Sequence, residues 1–218
     1  FVCLFDYNND TMEYKTKVLN DKMEQIYTTF SDINAIQIKN NTEKYSYQTQ
    51  VLKYKENDKY GILSIDGKKI TDAKYDEIES VAYKTNVLAV KQNDKYGVIN
   101  TKGKTIVNCE YDTISADYYY NDNSKYEYAG YIVSVKTDNG YRYGYIKYDG
   151  KVLLKPEYTQ IDRIPLEEEE KQIYLIAYKD GQAGLIKNKS IVLDHEYESI
   201  EYNGENNVLT IGRARKYG

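Results

Sequence analysis

The chain has 218 residues, a formal net charge of −4, a pI near 5.3 and a mean hydropathy of −0.76. This acidic balance argues against a nucleic-acid-binding surface, which normally carries a basic stripe, and no apolar run approaches the roughly 18 residues of a membrane-spanning helix. With 41% hydrophobic and 14% aromatic residues, 27 of them tyrosine, the chain can still bury a substantial core.

The first part of the chain, residues 1–50, predicts a degenerate copy of a repeat. Its clearest trace is Phe30-Ser31-Asp32-Ile33, which echoes Tyr75-Asp76-Glu77-Ile78. The opening residues 1–6 alternate like a strand and do not resemble a signal peptide, so we expect a processed or cut piece of a longer chain.

From residue 51 onward the same phrase recurs at spacings of 34 to 47 residues, the range of propellers, solenoids and arrays. A short apolar strand and a polar turn precede each aromatic-glycine pair. The pairs are Tyr60-Gly61, Tyr96-Gly97, Tyr143-Gly144 and Tyr217-Gly218, with Ala183-Gly184 as an altered copy. The repeats therefore predict a modular, all-β fold of tandem antiparallel meanders.

Two further signals follow each pair. A turn glycine stands six residues later, at Gly67, Gly103 and Gly150, and predicts a type I′ hairpin turn. A third strand then leads to a fixed tyrosine, at Tyr75, Tyr111, Tyr158 and Tyr197, with an isoleucine three residues beyond it.

The string over residues 96–114, Tyr-Gly-x-Ile-x-x-x-Gly-Lys followed by Tyr-Asp-x-Ile, resembles the bacterial WG-repeat family, with Tyr-Gly in place of Trp-Gly. The resemblance covers residues 50–218. It implies a β-rich repeat scaffold, found in envelope or multidomain proteins, with no shared catalytic residue. The departures are the absence of tryptophan and the fourth copy, which reads Asn188-Lys189 at its second turn.

We predict one repeat domain over residues 1–218, with repeats at 51–86, 87–131, 132–174 and 175–207. Residues 208–218 open a further repeat, which would complete a blade by pairing with residues 1–20. A β-propeller-like ring of about five blades is the favoured closure, because it leaves no unprotected sheet edge. The alternative is an open β-solenoid or superhelical array.

The sequence offers no recognisable catalytic or cofactor chemistry. Cys109 occupies a repeat position that reads Ala73, Pro156 and His195 elsewhere, and so variable a position is a poor candidate for catalysis. Cys3, Cys109 and one histidine cannot build a zinc site without distant carboxylates. The carboxylates Asp76, Asp112 and Glu198 recur at one repeat position, which indicates a structural turn. We therefore expect no enzyme, no metal and no cofactor.

Insertions collect between the isoleucine of one repeat and the first strand of the next, at residues 115–130 and 162–173. The first is rich in tyrosine and predicts a partner-binding surface, with packing on neighbouring blades as the alternative. Its candidate residues are Tyr118, Tyr119, Tyr120, Tyr126 and Tyr128. The second contains the acidic run Glu167–Glu170, which is typical of a solvated loop.

The predicted function is a non-catalytic scaffold that binds or displays a protein or carbohydrate partner at a bacterial cell surface, with the cytoplasm as the alternative location. A different class of function remains open, namely a structural or assembly subunit that joins chain to chain through its terminal strands. A carbohydrate hydrolase is a third hypothesis, because two facing carboxylates suffice for that chemistry.

Overall fold

The computed structural model describes residues 2–10, 13–30, 32–39, 47–81, 86–120, 126–165 and 172–213. All regular secondary structure in these ranges is β-strand, which confirms the predicted all-β class. The chain divides into two compact units, Phe1–Glu110 and Tyr111–Gly218, and each is described by itself. The repeat boundaries and the choice between a closed ring and an open array stay predictions, and Tyr217-Gly218 lie outside the described residues.

The first unit holds three antiparallel sheets. Its strands are β1 (Val2–Asn8), β2 (Glu13–Leu19), β3 (Gln25–Ile26), β4 (Ile33–Lys39), β5 (Tyr47–Glu56), β6 (Lys59–Ser64), β7 (Glu77–Ser80), β8 (Val87–Gln92), β9 (Lys95–Asn100) and β10 (Thr105–Tyr111). The sheet orders are β1-β2-β3, β4-β5-β6 and β10-β9-β8-β7. Strands that follow each other in sequence are neighbours in each sheet, which is the predicted meander.

The second unit repeats this plan. Its strands are β11 (Thr113–Tyr120), β12 (Tyr126–Thr137), β13 (Gly140–Lys147), β14 (Val152–Tyr158), β15 (Gln160–Ile164), β16 (Tyr174–Lys179), β17 (Gln182–Lys187), β18 (Ser190–Tyr197), β19 (Ser199–Asn203) and β20 (Val208–Gly212). Two four-stranded meanders, β11 to β14 and β15 to β18, precede the two-stranded pair β19-β20.

The isoleucine after each fixed aromatic residue lies on the first strand of the next sheet. On that strand the isoleucine is paired in register with a residue of the second strand. The same residue is paired with the motif glycine on the third strand. The complete rows are Ile33-Tyr54-Gly61, Ile78-Val90-Gly97, Ile114-Val133-Gly144 and Ile161-Ala177-Gly184. The recurring letters of the sequence therefore mark one recurring cross-strand position, and each four-stranded sheet joins the end of one sequence repeat to the start of the next.

The type I′ turns do not lie where the sequence predicts them. Both central residues have positive φ in the polar turns before the motif pairs, at Asn57-Asp58 (51° and 60°) and Asn93-Asp94 (52° and 60°). In the later turns only the glycine does, with φ of 85°, 79° and 89° at Gly67, Gly103 and Gly150. Each of these glycines donates its N–H to a carbonyl three residues back, at Ser64, Asn100 and Lys147. The predicted type I′ geometry is thus wrong here: these are three-residue loops that end in a left-handed glycine.

The same loop occurs in the N-terminal region, at residues 20–24. Met23 donates its N–H to the carbonyl of Asn20, and Asn20 donates to the carbonyl of Glu24. Met23 takes the position of the glycine, with φ of 63°. A side chain is rarely found in this backbone conformation, because its Cβ crowds the carbonyl oxygen.

Within each unit, successive sheets pack face to face through apolar side chains. In the first unit one cluster joins β4, β5 and β6 to β7, β8 and β9, through Ile36, Val51, Ile62, Ile78, Leu88, Val90 and Ile99. In the second, a cluster joins β13 and β14 to the sheet β15 to β18, through Tyr145, Leu153, Leu154, Ile161, Leu175, Ala177 and Ile186. The core is therefore a series of apolar layers between neighbouring sheets, as expected for a repeat protein.

Candidate functional site

The first insertion forms a hairpin that lengthens two strands of the second unit. Strand β11 pairs with β12 from Thr113↔Ser134 to Tyr120↔Tyr126, with a change of register between Asp117 and Tyr118. Tyr119, Tyr120 and Tyr126 lie at the far end of this pairing, and their side chains lie outside the described residues, as do residues 121–125 entirely. The role of these three tyrosines in partner binding stays a prediction.

At the base of the hairpin the tyrosines pack on each other. The rings of Tyr118 and Tyr128 are 6.0 Å apart, and Tyr128 meets Tyr131 edge to face at 5.0 Å. Tyr128 and Tyr131 are buried, so these two rings anchor the hairpin rather than form its outer surface. The hydroxyl group of Tyr131 is buried without a hydrogen-bond partner among the described residues, and burial raises its pKa.

An ion pair connects the two insertions. Nε of Arg163, on β15 in the second insertion, lies 3.3 Å from Oδ2 of Asp117, on β11 in the first. Both side chains are nearly buried, at 9% and 11% exposure. The hydroxyl group of Tyr145 on β13 donates a hydrogen bond of 2.6 Å to the same carboxylate oxygen. Three strands of two neighbouring sheets therefore meet at one carboxylate.

Burial dominates the electrostatics of this cluster. It raises the pKa of Asp117, while the hydrogen bond from Tyr145 and the charge of Arg163 oppose that rise. Burial also raises the pKa of Tyr145, and the charge of Asp117 raises it further, so Tyr145 remains a protonated donor. The arrangement connects three β-strands of two neighbouring sheets.

The end of the second insertion is also anchored. Ile173 is buried, and its N–H donates to Oδ1 of Asn188 at 3.1 Å. The N–H of Asn188 in turn donates to the carbonyl of Ile173 at 2.7 Å. Residues 166–171, which include the acidic run, lie outside the described residues. The described bases of both insertions are thus fixed to the sheets of the second unit.

The recurring carboxylates act as turn supports. Oδ2 of Asp76 accepts a hydrogen bond from the N–H of Asn93, and Oδ2 of Asp112 accepts one from the N–H of Lys136. Asp76 also forms an ion pair with Lys59. The turn interpretation of these two carboxylates is therefore supported by their contacts.

The variable repeat position lies over the motif glycine. A Cβ on Gly97 would stand 2.8 Å from the backbone nitrogen of Cys109, and one on Gly144 would stand 2.9 Å from that of Pro156. A Cβ on Gly184 would stand 2.9 Å from the ring of His195. Burial raises the pKa of Cys109 and lowers that of His195. Cys109 thus lies at a close backbone approach to Gly97, whereas His195 fills the space over Gly184 with its ring.

In the described part of the chain, no three His, Cys, Asp or Glu side chains come together as potential metal ligands. The described residues also contain no helix that is long and apolar enough to cross a membrane. The side chain of Cys3 lies outside the described residues.

Sequence reasoning finds the two insertions but not the residues that connect them. Arg163 belongs to no repeated phrase, Tyr145 fills the variable position of the Tyr-Gly-x-Ile phrase, and nothing in their local spacing relates them to Asp117. The available signal is a charged residue inside an otherwise alternating strand segment, as at Asp117 between Ala116 and Tyr118. A charged side chain that is buried on a strand needs a charged or hydrogen-bonding partner, but the sequence does not identify that partner.

Comparison with known proteins agrees with the repeat geometry. The family model described as WG containing repeat matches residues 60–96, 96–129 and 143–167. No match was found among curated proteins or among solved structures. Two of the matched segments begin at a Tyr-Gly pair of the first unit, and the third begins at Tyr143 of the second. Residues 60–129 and 143–167 therefore match repeats of the WG family.

Proposed function

We propose that this chain is a non-catalytic scaffold whose second unit recognises a protein or glycan partner through the insertions at residues 115–130 and 162–173. The WG family consists of repeat proteins and is not a known enzyme family, which supports a role without turnover. Partner binding at the outer surface of a bacterial cell is the setting that the family resemblance favours.

The observation that carries this proposal is the ion pair between Asp117 and Arg163. The two insertions lie in the first hairpins of two neighbouring sheets, β11-β12 and β15-β16. A buried ion pair is weak support for stability, because desolvation offsets the Coulomb attraction. It does, however, fix the bases of two insertions relative to each other. Preorganised loops lose less entropy when they bind, so the arrangement suits recognition.

The chemistry of the first insertion fits protein or glycan contact. Tyrosine combines a rigid apolar ring with a hydroxyl group, and Asn and Ser supply adaptable hydrogen bonds. The segment contains Tyr118, Tyr119 and Tyr120, followed by Asn121 and Asn123. Because Tyr118 packs on the buried Tyr128, the row of tyrosines starts from an anchored base.

The experiment is a binding screen of the 218-residue chain against a glycan array and against purified bacterial envelope proteins. The affinity for the strongest ligand is then measured by biolayer interferometry for the wild type and for a triple variant with Tyr118, Tyr119 and Tyr120 replaced by alanine. We expect the triple variant to lose at least tenfold in affinity, since aromatic anchors dominate most binding sites.

The matched control replaces two exposed tyrosines that lie outside the insertions, Tyr141 and Tyr148. This double variant should bind like the wild type. Circular dichroism and thermal melting check that every variant is folded. Unchanged affinity of the folded triple variant for a demonstrated ligand would remove the proposal.

A further inference from the structure

One packing layer of the second unit is ionic where the corresponding layers are apolar. Each layer lies between two neighbouring sheets and involves three positions: the third residue after the row isoleucine, the residue directly after the motif glycine, and the second residue after the row isoleucine of the next sheet. The ionic layer holds Asp117, Tyr145 and Arg163. The corresponding residues are Ile36, Ile62 and Ser80 in the first unit, and Ile164, Leu185 and Tyr202 between later sheets of the second.

The fold packs the corresponding layers without charges. Ile36 and Ile62 are buried in one apolar cluster of the first unit. Ile164 and Leu185 are buried in another cluster of the second unit, against which Tyr202 packs. A buried ion pair is not expected to be more stable than such packing, because both charges lose their hydration. Holding neighbouring sheets together therefore does not explain the ion pair of the third layer.

A fourth position has changed together with these three. Gly130 on β12 is paired with Asp117, and a Cβ at Gly130 would stand 3.1 Å from Cε1 of Tyr145. The corresponding residues of the other two layers, Val51 and Tyr174, have full side chains. Glycine thus leaves space for the ring of Tyr145, whose hydroxyl group donates to Asp117 at 2.6 Å. The substitutions form one set around a single carboxylate.

The ionic layer is also the one that lies between two long hairpins. Measured from the row isoleucine to the residue paired with it, the hairpins on its two sides span residues 114–133 and 161–177. Each apolar layer has a shorter hairpin on one side, which spans residues 78–90 or 200–211. Among the described layers within the two units, charges therefore occur where two insertions leave neighbouring sheets.

An ion pair restricts the relative position of two strands more than an apolar contact does. Apolar contacts have no preferred direction, and apolar layers lose a unique arrangement before they lose stability. A buried charge must stay beside its partner, and the hydrogen bond from Tyr145 adds a preferred direction. Asp117 lies directly before the change of register that leads to Tyr118, and Arg163 directly before the last residue of β15. The pair acts at the point where each insertion leaves its sheet.

Building on the recognition role of the two insertions stated above, we propose that Asp117 and Arg163 are positioning residues for partner binding. With Tyr145 they hold the bases of the insertions in one relative arrangement, whereas an apolar layer would hold the same sheets but allow several arrangements. Both charged side chains are nearly buried, so they act through the insertions and not by touching the partner.

The first test compares the wild type with an apolar variant, Asp117→Val, Tyr145→Phe and Arg163→Met, in which each side chain keeps roughly its size. We expect its melting temperature to equal or exceed that of the wild type. Relaxation-dispersion NMR should nevertheless show new exchange on the microsecond to millisecond timescale at the amides of Gly130 and Ile164. A folded apolar variant without new exchange overturns the proposal.

A second variant covers the case in which the apolar variant does not fold. Asp117→Asn with Arg163→Met removes both charges and keeps an acceptor for the hydroxyl group of Tyr145. It should show the same exchange at Gly130 and Ile164, and its absence would equally overturn the proposal.

The matched control is Ile36→Val with Ile62→Val, at the corresponding positions of the first unit. This variant loses stability because it removes buried methyl groups, but the amides of the second unit should behave as in the wild type. Equal exchange in the control and in the apolar variant would mean that any loss of packing loosens the insertions, which contradicts a positioning role.

The second test measures affinity by biolayer interferometry, with the glycan or envelope protein that binds the wild type most tightly in the screen described above. We expect the apolar variant to bind at least about tenfold more weakly and the control to bind like the wild type. Wild-type affinity of the folded apolar variant, together with weaker binding by the alanine variant at Tyr118, Tyr119 and Tyr120, overturns the positioning role and leaves the proposed function standing. Wild-type affinity of the alanine variant as well refutes the proposed function and the role in binding together, while the NMR exchange still decides whether the ion pair fixes the bases.

Discussion

The motif glycine of the second unit provides a quantitative test of why the repeat retains a glycine at this position. A Cβ on Gly144 would stand 2.7 Å from the carbonyl oxygen of Leu154, and two further backbone atoms of β14 lie 2.9 Å away. Carbon–oxygen contacts are ordinarily about 3.3 Å or longer. Because the obstructing atoms belong to the backbone, no side-chain rotation can relieve the overlap, so β13 and β14 must separate.

The expected loss of stability follows from this overlap. Overpacking of this kind costs about 1–3 kcal/mol. Replacing glycine by alanine restricts the unfolded chain and returns about 0.4–1 kcal/mol. With the middle of each range, the net loss for Gly144→Ala is about 1.3 kcal/mol, which lowers the melting temperature by about 3–5 °C for a chain of this length. The loss is measured by thermal unfolding, followed by circular dichroism and by tyrosine fluorescence.

Gly204→Ala is the matched control within the same unit. Gly204 does not have a positive φ, and its nearest neighbour would be Cε1 of Tyr202 at an ordinary 3.7 Å. This variant should be as stable as the wild type or slightly more stable. A melting temperature for Gly144→Ala at or above that of the wild type, with Gly204→Ala unchanged, would refute the close approach of β14 as the reason for the glycine.

Three further predictions concern other positions. Met23→Gly should raise the free energy of unfolding by up to about 1 kcal/mol in urea titrations, because Met23 has a left-handed backbone and an exposed side chain. A free energy of unfolding below that of the wild type would contradict strain at this turn. Burial, with the charge of Lys179 as a smaller cause, lowers the pKa of His195, so the unfolded chain binds the proton more tightly. The contribution of His195 to the free energy of unfolding should be constant above about pH 6.5 and fall as the pH drops below that value. His195→Ala should remove this contribution, and an unchanged slope of stability against pH would contradict the prediction. Arg163→Ala should lower the free energy of unfolding by about 3–5 kcal/mol, because it leaves Asp117 buried without its charge partner. The same substitution should cost less in an Asp117→Asn background, where no buried charge remains. Strictly additive losses would mean that the two side chains are uncoupled.

The sequence was sufficient to predict the meander, because its signals are local. A polar turn, an aromatic-glycine pair and a turn glycine each act within a few residues, and their recurrence shows where the strands lie. Turn type was harder to predict, since Asp66-Gly67 is compatible both with a type I′ turn and with a longer loop that ends in glycine. The choice between these two turn types depends on the register of the flanking strands. Register is set by pairing across the sheet, so the turn residues alone do not determine it.

The contacts of the candidate site could not be read from the sequence for a related reason. Asp117 and Arg163 come together because β11 and β15 begin neighbouring sheets, and no local pattern encodes the packing of one sheet on another. The burial of Tyr128 could not be predicted either, because Tyr128 belongs to a run of polar and aromatic residues that is typical of an exposed segment. Sequence reasoning thus located the insertions but not which of their residues face inward.

Packing explains why the residue at the variable repeat position differs between copies. Two side chains from different segments share the space above each motif glycine. The neighbouring strand of the first unit supplies the large Tyr54, whose ring would be 2.5 Å from a Cβ on Gly61, and the small Ala73, which lies outside the strands, packs against the same apolar cluster.

The opposite arrangement occurs in the second unit, where the small Ala177 faces Gly184 and His195 lies over it. Medium-sized side chains occupy both strands in the remaining copies, with Val90 and Cys109 around Gly97, and Val133 and Pro156 around Gly144. The sizes of the two side chains therefore vary in opposite directions between the copies, as close packing demands. Variation at this position therefore does not mean that the position is unconstrained: the constraint acts on the pair of side chains, and glycine is retained because it provides the space that the pair fills.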